Sequence, residues 1–587
     1  MKIVCLVKQV PRADSIEFDQ ETKQLKREGV PLLLNPFDAA AVAHAAAQKE
    51  RTGAEVIAMT MGPPQAEEAL RTCLALGADR CVHLSDRVFA VADTIGTSRT
   101  LAMAIDKEGG VDLVVCGRKT TDSETWQVPP ETAAFLGWPH LTSVVDTELV
   151  GRRIRATRET DHGFETYEVE GPAVVSVAYG RDADGTADGR IDLWTAKDLV
   201  DEVYEYDKRF GQTGSPTRVL AVRDVTPERL GRRVDSLDEA QERLRELLTE
   251  RPVAASSWDK PAHIADKPGK SYDAWTLVEL VDRRPSRASL ELIGRGRELA
   301  GKLGGENVAL ILGSQLDDAA QVAARHGAER VVVVDDERLA QYHPEVWSSA
   351  LRSVVEQARP HVLIIPATPT GRDVGPRVAG ELELGMTGDC VAVDIAKAGR
   401  LLQTKPAYGG NIVSVIMGNT TPQLATVRPR MYEPLEPRDV EPKLERITMG
   451  DLPQPRCRLI ERKEAPAWDL DEADVVVCLG SELPQEDISR ARELAESAGA
   501  AVGGTRAVCE RGDLARNRQI GLLGRPVAPR LLVAVGIPGD FEELTGFVKA
   551  AVIAAVNHGD APMLGAADVG AIIHWEGAIP ALAGALQ

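Results

Sequence analysis

Short β-branched apolar runs alternate along this chain with longer Ala-rich segments whose apolar residues recur at helical spacing. The opening series predicts strands at Ile3–Val7, Val56–Met61, Cys81–Leu84 and Leu113–Cys116, with helices such as Ala66–Leu76 between them. Runs that are apolar along their whole length, separated by helices, predict a mostly parallel sheet covered on both faces. The pattern then repeats. VIAMTMGPPQAEEALRTCLALGADRCVHL, from Val56, matches VALILGSQLDDAAQVAARHGAERVVVV, from Val308. In each, a strand runs into a glycine, a helix follows, and Gly-Ala-acid-Arg leads into the next strand. Gly62 and Gly313 lie 251 residues apart, and Arg80 and Arg330 lie 250 apart. The series continues with DLVVCGRKTTD (from 112) facing HVLIIPATPTGRD (from 361), and GPAVVSV (from 171) facing GNIVSVI (from 410). Such an ordered series is a duplication, and two homologous units in one chain imply a pseudo-two-fold pair.

The pattern divides the chain into a first α/β unit, 1–206, and a second, 274–436. Between them, 207–273 reads as an arm with one strand (Val219–Val222), a charged helix (Leu237–Thr249) and a Pro/Ser/Lys-rich linker at 252–271. The stretch 437–468 holds five prolines and reads as an irregular linker or hinge. A third α/β domain, 469–587, has Gly after several strand ends, where ligands of parallel sheets sit.

Composition narrows the function classes. With 69 basic and 89 acidic residues the net charge is −20, the opposite of a nucleic-acid footprint. The apolar stretch 548–556 contains Lys549 and is too short to span a bilayer. Eight scattered cysteines, without a C-x-x-C pair, predict buried free thiols. Together these predict a protein of a reducing cytoplasm.

Candidate chemistry gathers at strand ends. In the first unit, GRKTTDSETWQVPPETAAFLG puts Thr125, Gln127, Val128 and two prolines where a helix begins, and free N–H groups there favour a phosphate. Asp122 suits a cap or a ribose hydroxyl. Val7, Lys8, Met61, Gly62 and the loop at Asn35 end neighbouring elements and point to the same crevice. The matching segment of the second unit, PATPTGRDVGPRVAG, lacks the Thr-x-Gln pattern, and Arg372 and Arg377 read as loop or interface supports. In the third domain, Arg506 beside a Gly-rich turn offers a bidentate fork for pyrophosphate or a flavin carbonyl. His574-Trp575 reads as a packing pair. The sequence carries no Ser-His-Asp order, H-E-x-x-H, P-loop or G-x-G-x-x-G after a strand, and no metal site is expected. Chemistry by a bound cofactor therefore fits better than catalysis by side chains.

VKQVP from Val7, NPFDAAAV from Asn35 and TMGPPQAEEALRTCLALGADR resemble the β subunit of electron-transfer flavoproteins. PATPTGRDVGPRVA, QTKPAYGGNIVSVI and LATVRPR resemble the N-terminal domain of the α subunit. AAVGGTRA, RQIGLLGR, AVGIPG and VNHGDAPM follow its flavin domain in order. The resemblance implies β- and α-type parts fused in one chain, with a flavodoxin-like C-terminal domain. It implies an FAD in that domain, near Thr505, Arg506, Gln519, Gly521, Gly524, Gly536, Ile537, Gly539, Asn557 and Asp568. It also implies a second adenine nucleotide in the first unit: AMP in ordinary members, a second FAD in electron-bifurcating ones. The loop D-S-E-T-W-Q-V-P-P-E is closer to the bifurcating pattern.

The C-terminal site departs from the family. Leu479-Gly480-Ser481-Glu482 stands for Gly-Gly-Arg-Gly, and Gln519–Gly524 has Leu522 and Leu523 where the family has two polar side chains. Gly536-Ile537-Pro538-Gly539, followed by three carboxylates, lacks the family's Ser and His. At roughly 0.5–3 kcal/mol for each lost hydrogen bond, such changes lower flavin affinity by orders of magnitude. The expected function is a soluble electron carrier between an acyl-CoA-dehydrogenase-type flavin dehydrogenase and a quinone reductase or another acceptor, with bifurcation an option. The alternatives are a non-redox nucleotide-binding protein and a relay subunit of a larger complex. Segment 186–200 is the candidate docking surface.

Overall fold

A computed structural model describes residues 1–15, 29–151, 153–204, 207–225, 229–251, 257–264, 272–410, 412–465 and 469–586. In the first unit, β1 (Lys2–Leu6), β2 (Glu55–Met61), β3 (Arg80–Leu84), β4 (Leu113–Gly117), β5 (His140–Val150) and β6 (Ala173–Val177) stand in the order β3-β2-β1-β4-β6-β5, all parallel. The helices that flank the sheet explain why the central strands are buried end to end. Helix α1 (Pro36–Thr52) starts with Pro and ends at Gly53 in the left-handed region (φ 70°); α2 (Val128–Leu136) also opens with proline.

The second unit repeats this arrangement. Its strands β7 (Tyr272–Val278), β8 (Gly304–Gly313), β9 (Arg330–Asp335), β10 (Val362–Pro366), β11 (Met386–Cys390) and β12 (Gln423–Val427) stand in the order β9-β8-β7-β10-β12-β11. The repeated Arg opens β3 and β9 and has one job in both. Arg80 pairs with Glu55 (2.8 Å) and Glu108 (2.6 Å); Arg330 pairs with Glu306 (2.9 Å) and Asp273 (2.9 Å). The equivalent helices α2 and α3 (Pro369–Leu382) meet across the pseudo-dyad, where a Cβ on Gly380 would lie 2.9 Å from Ala134. One detail of the duplication is corrected. The counterpart of β6 is β12, not the run from Gly410, because Ile412–Gly418 belongs to a separate antiparallel sheet.

In the third domain, β13 (Val475–Leu479), β14 (Ala501–Gly504), β15 (Leu531–Val535), β16 (Val552–Asn557) and β17 (Val569–Ile572) form a parallel sheet in the order β14-β13-β15-β16-β17. This is the flavodoxin-like order 2-1-3-4-5. The arm joins all parts. Thr217–Asp224 pairs with Ile412–Gly418 beside the second unit, Arg232–Val234 adds to β17, and Leu237–Glu250 buries Leu244 and Leu247 in the third domain's core. The stretch 437–468, expected to be irregular, carries two edge strands. Lys443–Arg446 lies on β9 and Cys457–Glu464 lies on the antiparallel hairpin of the first sheet. All eight cysteines are free and buried, as their apolar settings predict.

Candidate functional site

In the first unit the strand order reverses at β1, whose neighbours β2 and β4 lie on opposite sides. The crevice beyond the carboxyl ends of β1 and β4 is thus the switch point of a doubly wound sheet. The structure brings Val7, Lys8, Asn35 and Asp122 together there. Asn35 is fully buried; its amide donates to the Lys119 carbonyl (3.0 Å) and its oxygen accepts from Thr121 N–H (3.3 Å). Asp38 accepts from Lys8 N–H (2.9 Å) and Gly117 N–H (3.1 Å), tying both strand ends to α1, and burial pushes its carboxyl up to about 7. Lys8 Nζ meets Asp122 at 2.6 Å. Burial raises the Asp122 pKa, but Lys8 and the neighbouring hydroxyls outweigh it, so this carboxyl sits below the usual range. Met61 and Gly62 end β2 alongside, with Gly62 N–H bonded to the Leu84 carbonyl.

The loop between β4 and α2 is held in strained backbone, with Glu124 at φ +46° and Trp126 at +62°. Thr125 is half-buried, and its carbonyl would lie 2.2 Å from a Cβ on Gly388 of the second unit. Val128 packs against the first unit's core. Gln127 faces away from a ligand role for its side chain. It donates to Thr94, Glu131 and the Met386 carbonyl and accepts from Gly388 N–H, so it joins the two units.

The second unit has the same geometry with opposite charge. Val278-Glu279 stands at the end of β7 as Val7-Lys8 stands at the end of β1. Glu279 accepts from Thr368 Oγ1 at 2.7 Å, at the start of α3, and burial pushes its carboxyl up to about 8. A carboxyl group from the chain itself thus occupies the position at this helix N-terminus, whereas the first unit places the Lys8–Asp122 pair at the matching strand end.

Among the buried side-chain polar atoms of the third domain without a partner are Thr505 Oγ1, Gln519 Oε1 and Asn557 Oδ1. They line the carboxyl edge of the sheet with Ile537 and suit a polar ligand. The anion-binding part does not fit a dinucleotide. Arg506, the fork expected to hold phosphate, is taken by Glu510 (2.8 Å) and Asp182 (3.0 Å). Glu543 accepts from Gly539 N–H (2.9 Å) and Asp540 N–H (3.1 Å), so the donors beyond Gly536 already hold a carboxylate. Leu522 and Leu523, between Gly521 and Gly524, pack on Phe37 of the first unit. Asp568 is the anchor of the arm rather than a cofactor ligand, pairing with Arg229 (2.9 Å) and Arg251 (3.0 Å). The sequence marked Leu522 and Leu523 as losses; their contact with Phe37 joins residues 485 apart and carried no local signal.

Two tandem doubly wound units, followed by a flavodoxin-like domain, define a class of cofactor-binding protein. The family comparison assigns it. The electron transfer flavoprotein domain matches twice, at residues 22–198 and 274–451, and the electron transfer flavoprotein FAD-binding domain matches at 469–548. The chain belongs to the electron transfer flavoprotein family, with β- and α-type parts in one polypeptide. It is 33% identical to electron transfer flavoprotein subunit alpha of Clostridium acetobutylicum, over 52% of this chain and 95% of that one. It is 37% identical to subunit beta of Thermoanaerobacterium thermosaccharolyticum, over 43% of this chain and 100% of that one. It is also 45% identical to the caffeyl-CoA reductase-Etf complex subunit CarD of Acetobacterium woodii, over 30% of this chain and 68% of that one. No helix among the described residues is long and apolar enough to cross a membrane.

Proposed function

We propose that the chain carries electrons through FAD held in the first unit's crevice, between a flavin dehydrogenase and a quinone reductase or another acceptor. The observation that carries this reading is the charge contrast between equivalent positions. Lys8 pairs with Asp122 in the loop that leads to α2, whereas Glu279 accepts from Thr368, which caps α3. Bound FAD would supply one- and two-electron redox chemistry. The residues present supply position. Lys8 and the α2 N-terminus offset phosphate charge, Asp122 offers an acceptor to a ribose hydroxyl, and Asn35 and Asp38 fix the two strand ends. The loop of Thr125 and its similarity to bifurcating relatives favour FAD over AMP here.

CarD, named for a reductase–Etf complex, and the 31% identical LctC, named for an NAD- and ferredoxin-linked lactate dehydrogenase, favour a role beside a dehydrogenase. A relay subunit of such a complex is the second reading. The test is to denature purified protein and count nucleotides by chromatography. The carrier reading expects FAD, with Thr125→Ala lowering its content severalfold and Arg506→Ala leaving it unchanged. Flavin lost only in Arg506→Ala places FAD in the third domain and overturns the assignment. Colourless protein that takes up no FAD overturns the carrier reading itself.

A further inference from the structure

A cavity of about 1140 Å³ opens where the two units and the third domain meet. The carboxyl edge of the second sheet reaches it at Glu279, Gly313 and Thr368. The first unit contributes Arg118 and Trp126, and the third domain contributes Asn517, Gln519 and Lys549. Neither Lys8, Met61, Asp122 and Thr125 of the first crevice nor Thr505, Arg506 and Asn557 of the third domain borders it. Trp126, next to Thr125, and Gln519 and Gly524 of the third domain do line it, so it adjoins both sites without containing either. Domain junctions and carboxyl edges of parallel sheets are where ligands collect, and this volume suits a molecule of nucleotide size.

The wall formed by the first unit and its neighbours has a buried excess of positive charge. Glu124 meets Lys119 (3.4 Å) and Arg428 (3.1 Å), while Asp389 meets Arg428 (2.6 Å) and Arg372 (2.6 Å). Lys405 adds a fourth cation to these two acids and spends its ammonium on the Ser123 and Pro406 carbonyls. Arg118 gives one N–H to the Gly524 carbonyl (3.0 Å) and leaves its Nε without a partner. Glu159, the acid facing Arg118, is shared with Tyr179 and Arg525. Lys549 has no acidic partner among the described residues. Burial lowers its pKa below the usual lysine range, and the charges nearest it, Arg428 and Arg229, push the same way.

On the opposite wall Glu279 accepts from Thr368, and Arg525 is shared by Glu159, Asp161 and Asp471. Glu472 lies near Arg287 and Arg430. Buried cations without counter-charge are costly, the more so against a chain of net charge −20. Several buried polar atoms on the lining residues are also unpartnered: Trp126 Nε1, Arg372 Nε, Asn517 Oδ1 and Gln519 Oε1. Arg372 and Arg118 stack on the Trp126 ring, 4.2 and 4.8 Å from its centre.

We propose that this cavity binds a phosphate-bearing ligand of nucleotide size, whose phosphate is neutralised by Lys549 and Arg372. Base and sugar then find the unpartnered atoms of Asn517, Gln519 and Trp126. The full-length protein, with flavin content recorded separately, is titrated with ADP and with inorganic pyrophosphate by calorimetry. Saturable binding that weakens at least tenfold in Lys549→Gln and in Arg372→Gln, with flavin content unchanged, is the expected result. Lys549→Arg keeps the charge and retains binding, which guards against a variant that simply misfolds. ADP binding tenfold tighter than pyrophosphate assigns a nucleotide; equal binding assigns the phosphate group alone. No binding of either probe, or binding unchanged in a folded Lys549→Gln/Arg372→Gln variant, overturns the proposal. So does ADP binding that Thr125→Ala abolishes, since that places it in the first crevice. Because flavin is measured independently, failure here leaves the carrier reading standing.

Discussion

At the scale of single residues, the duplicated units differ most where they are most alike in geometry. Lys8 and Glu279 occupy matching positions after the first strand, yet one is an ammonium paired with Asp122 and the other a carboxyl held by Thr368. Glu279 also makes the protein's stability pH-dependent. Its carboxyl titrates near 4.5 when free and at about 8 in the fold. Its favourable contribution is complete below pH 4.5 and is lost as pH rises towards 8, because the folded state then bears a buried charge. Glu279→Gln should remove this loss. Thermal unfolding is expected to show the variant gaining on the parent by roughly 2–4 °C or more between pH 5 and 8, and a constant difference across that range would exclude the assignment.

At the scale of elements, most of the fold was legible in the sequence because whole-length apolar runs and repeated turn glycines are strong local signals. The α/β character of the third domain and the pairing of Gly62 with Gly313 followed from them, while its flavodoxin-like order was implied by the family resemblance. The match of GPAVVSV with GNIVSVI failed for a physical reason. Apolar runs of that length do not record their neighbours, and Ile412–Gly418 pairs with the arm strand Thr217–Asp224 instead. The strands Arg232–Val234, Lys443–Arg446 and Cys457–Glu464 were missed because charged edge strands lack the alternation of a half-buried sheet. At the candidate site, the crevice residues were recognisable one by one, but Gln127 and Asp568 were not recognisable as bridges. Their partners lie hundreds of residues away, at Met386 and Gly388 and at Arg229 and Arg251.

The segment 519–524 gives a direct test of what the third domain lost. Restoring polarity with Leu522→Gln/Leu523→Thr removes the apolar contact with Phe37 and supplies hydrogen-bonding groups. Flavin content after dialysis against FAD should rise above that of the parent. Unchanged content would mean that the carboxylate of Glu543, rather than the two leucines, keeps the site closed.

At the scale of the whole molecule, the arm makes one body of parts that are separate in sequence. Asp568 is fully buried and holds two guanidiniums from the arm. Removing it with Asp568→Ala leaves them unpaired and should cost about 3 kcal/mol. Chemical denaturation would detect the loss, and limited proteolysis should then cut near Leu237–Glu250. Because the arm pairs with both later parts, its covalent continuation matters less than its contacts. Two fragments, broken between Ile264 and Tyr272 and produced together, are expected to purify as one complex. Separation of the fragments on gel filtration would show that the covalent link is essential.

The two edge strands of 437–468 bear on how the third domain can move. The chain is fastened to the first sheet through Glu464, and the arm is fastened beside the second unit through Asp224. The third domain, carrying Arg232–Val234 and the helix after it, therefore joins the rest at two separated points. A body on one cord turns in any direction, whereas a body on two turns about the line between them, like a door on its hinges. Electron exchange with a partner would then be aimed by the placement of two short crossings, and spin-label distances across the cavity should trace one arc.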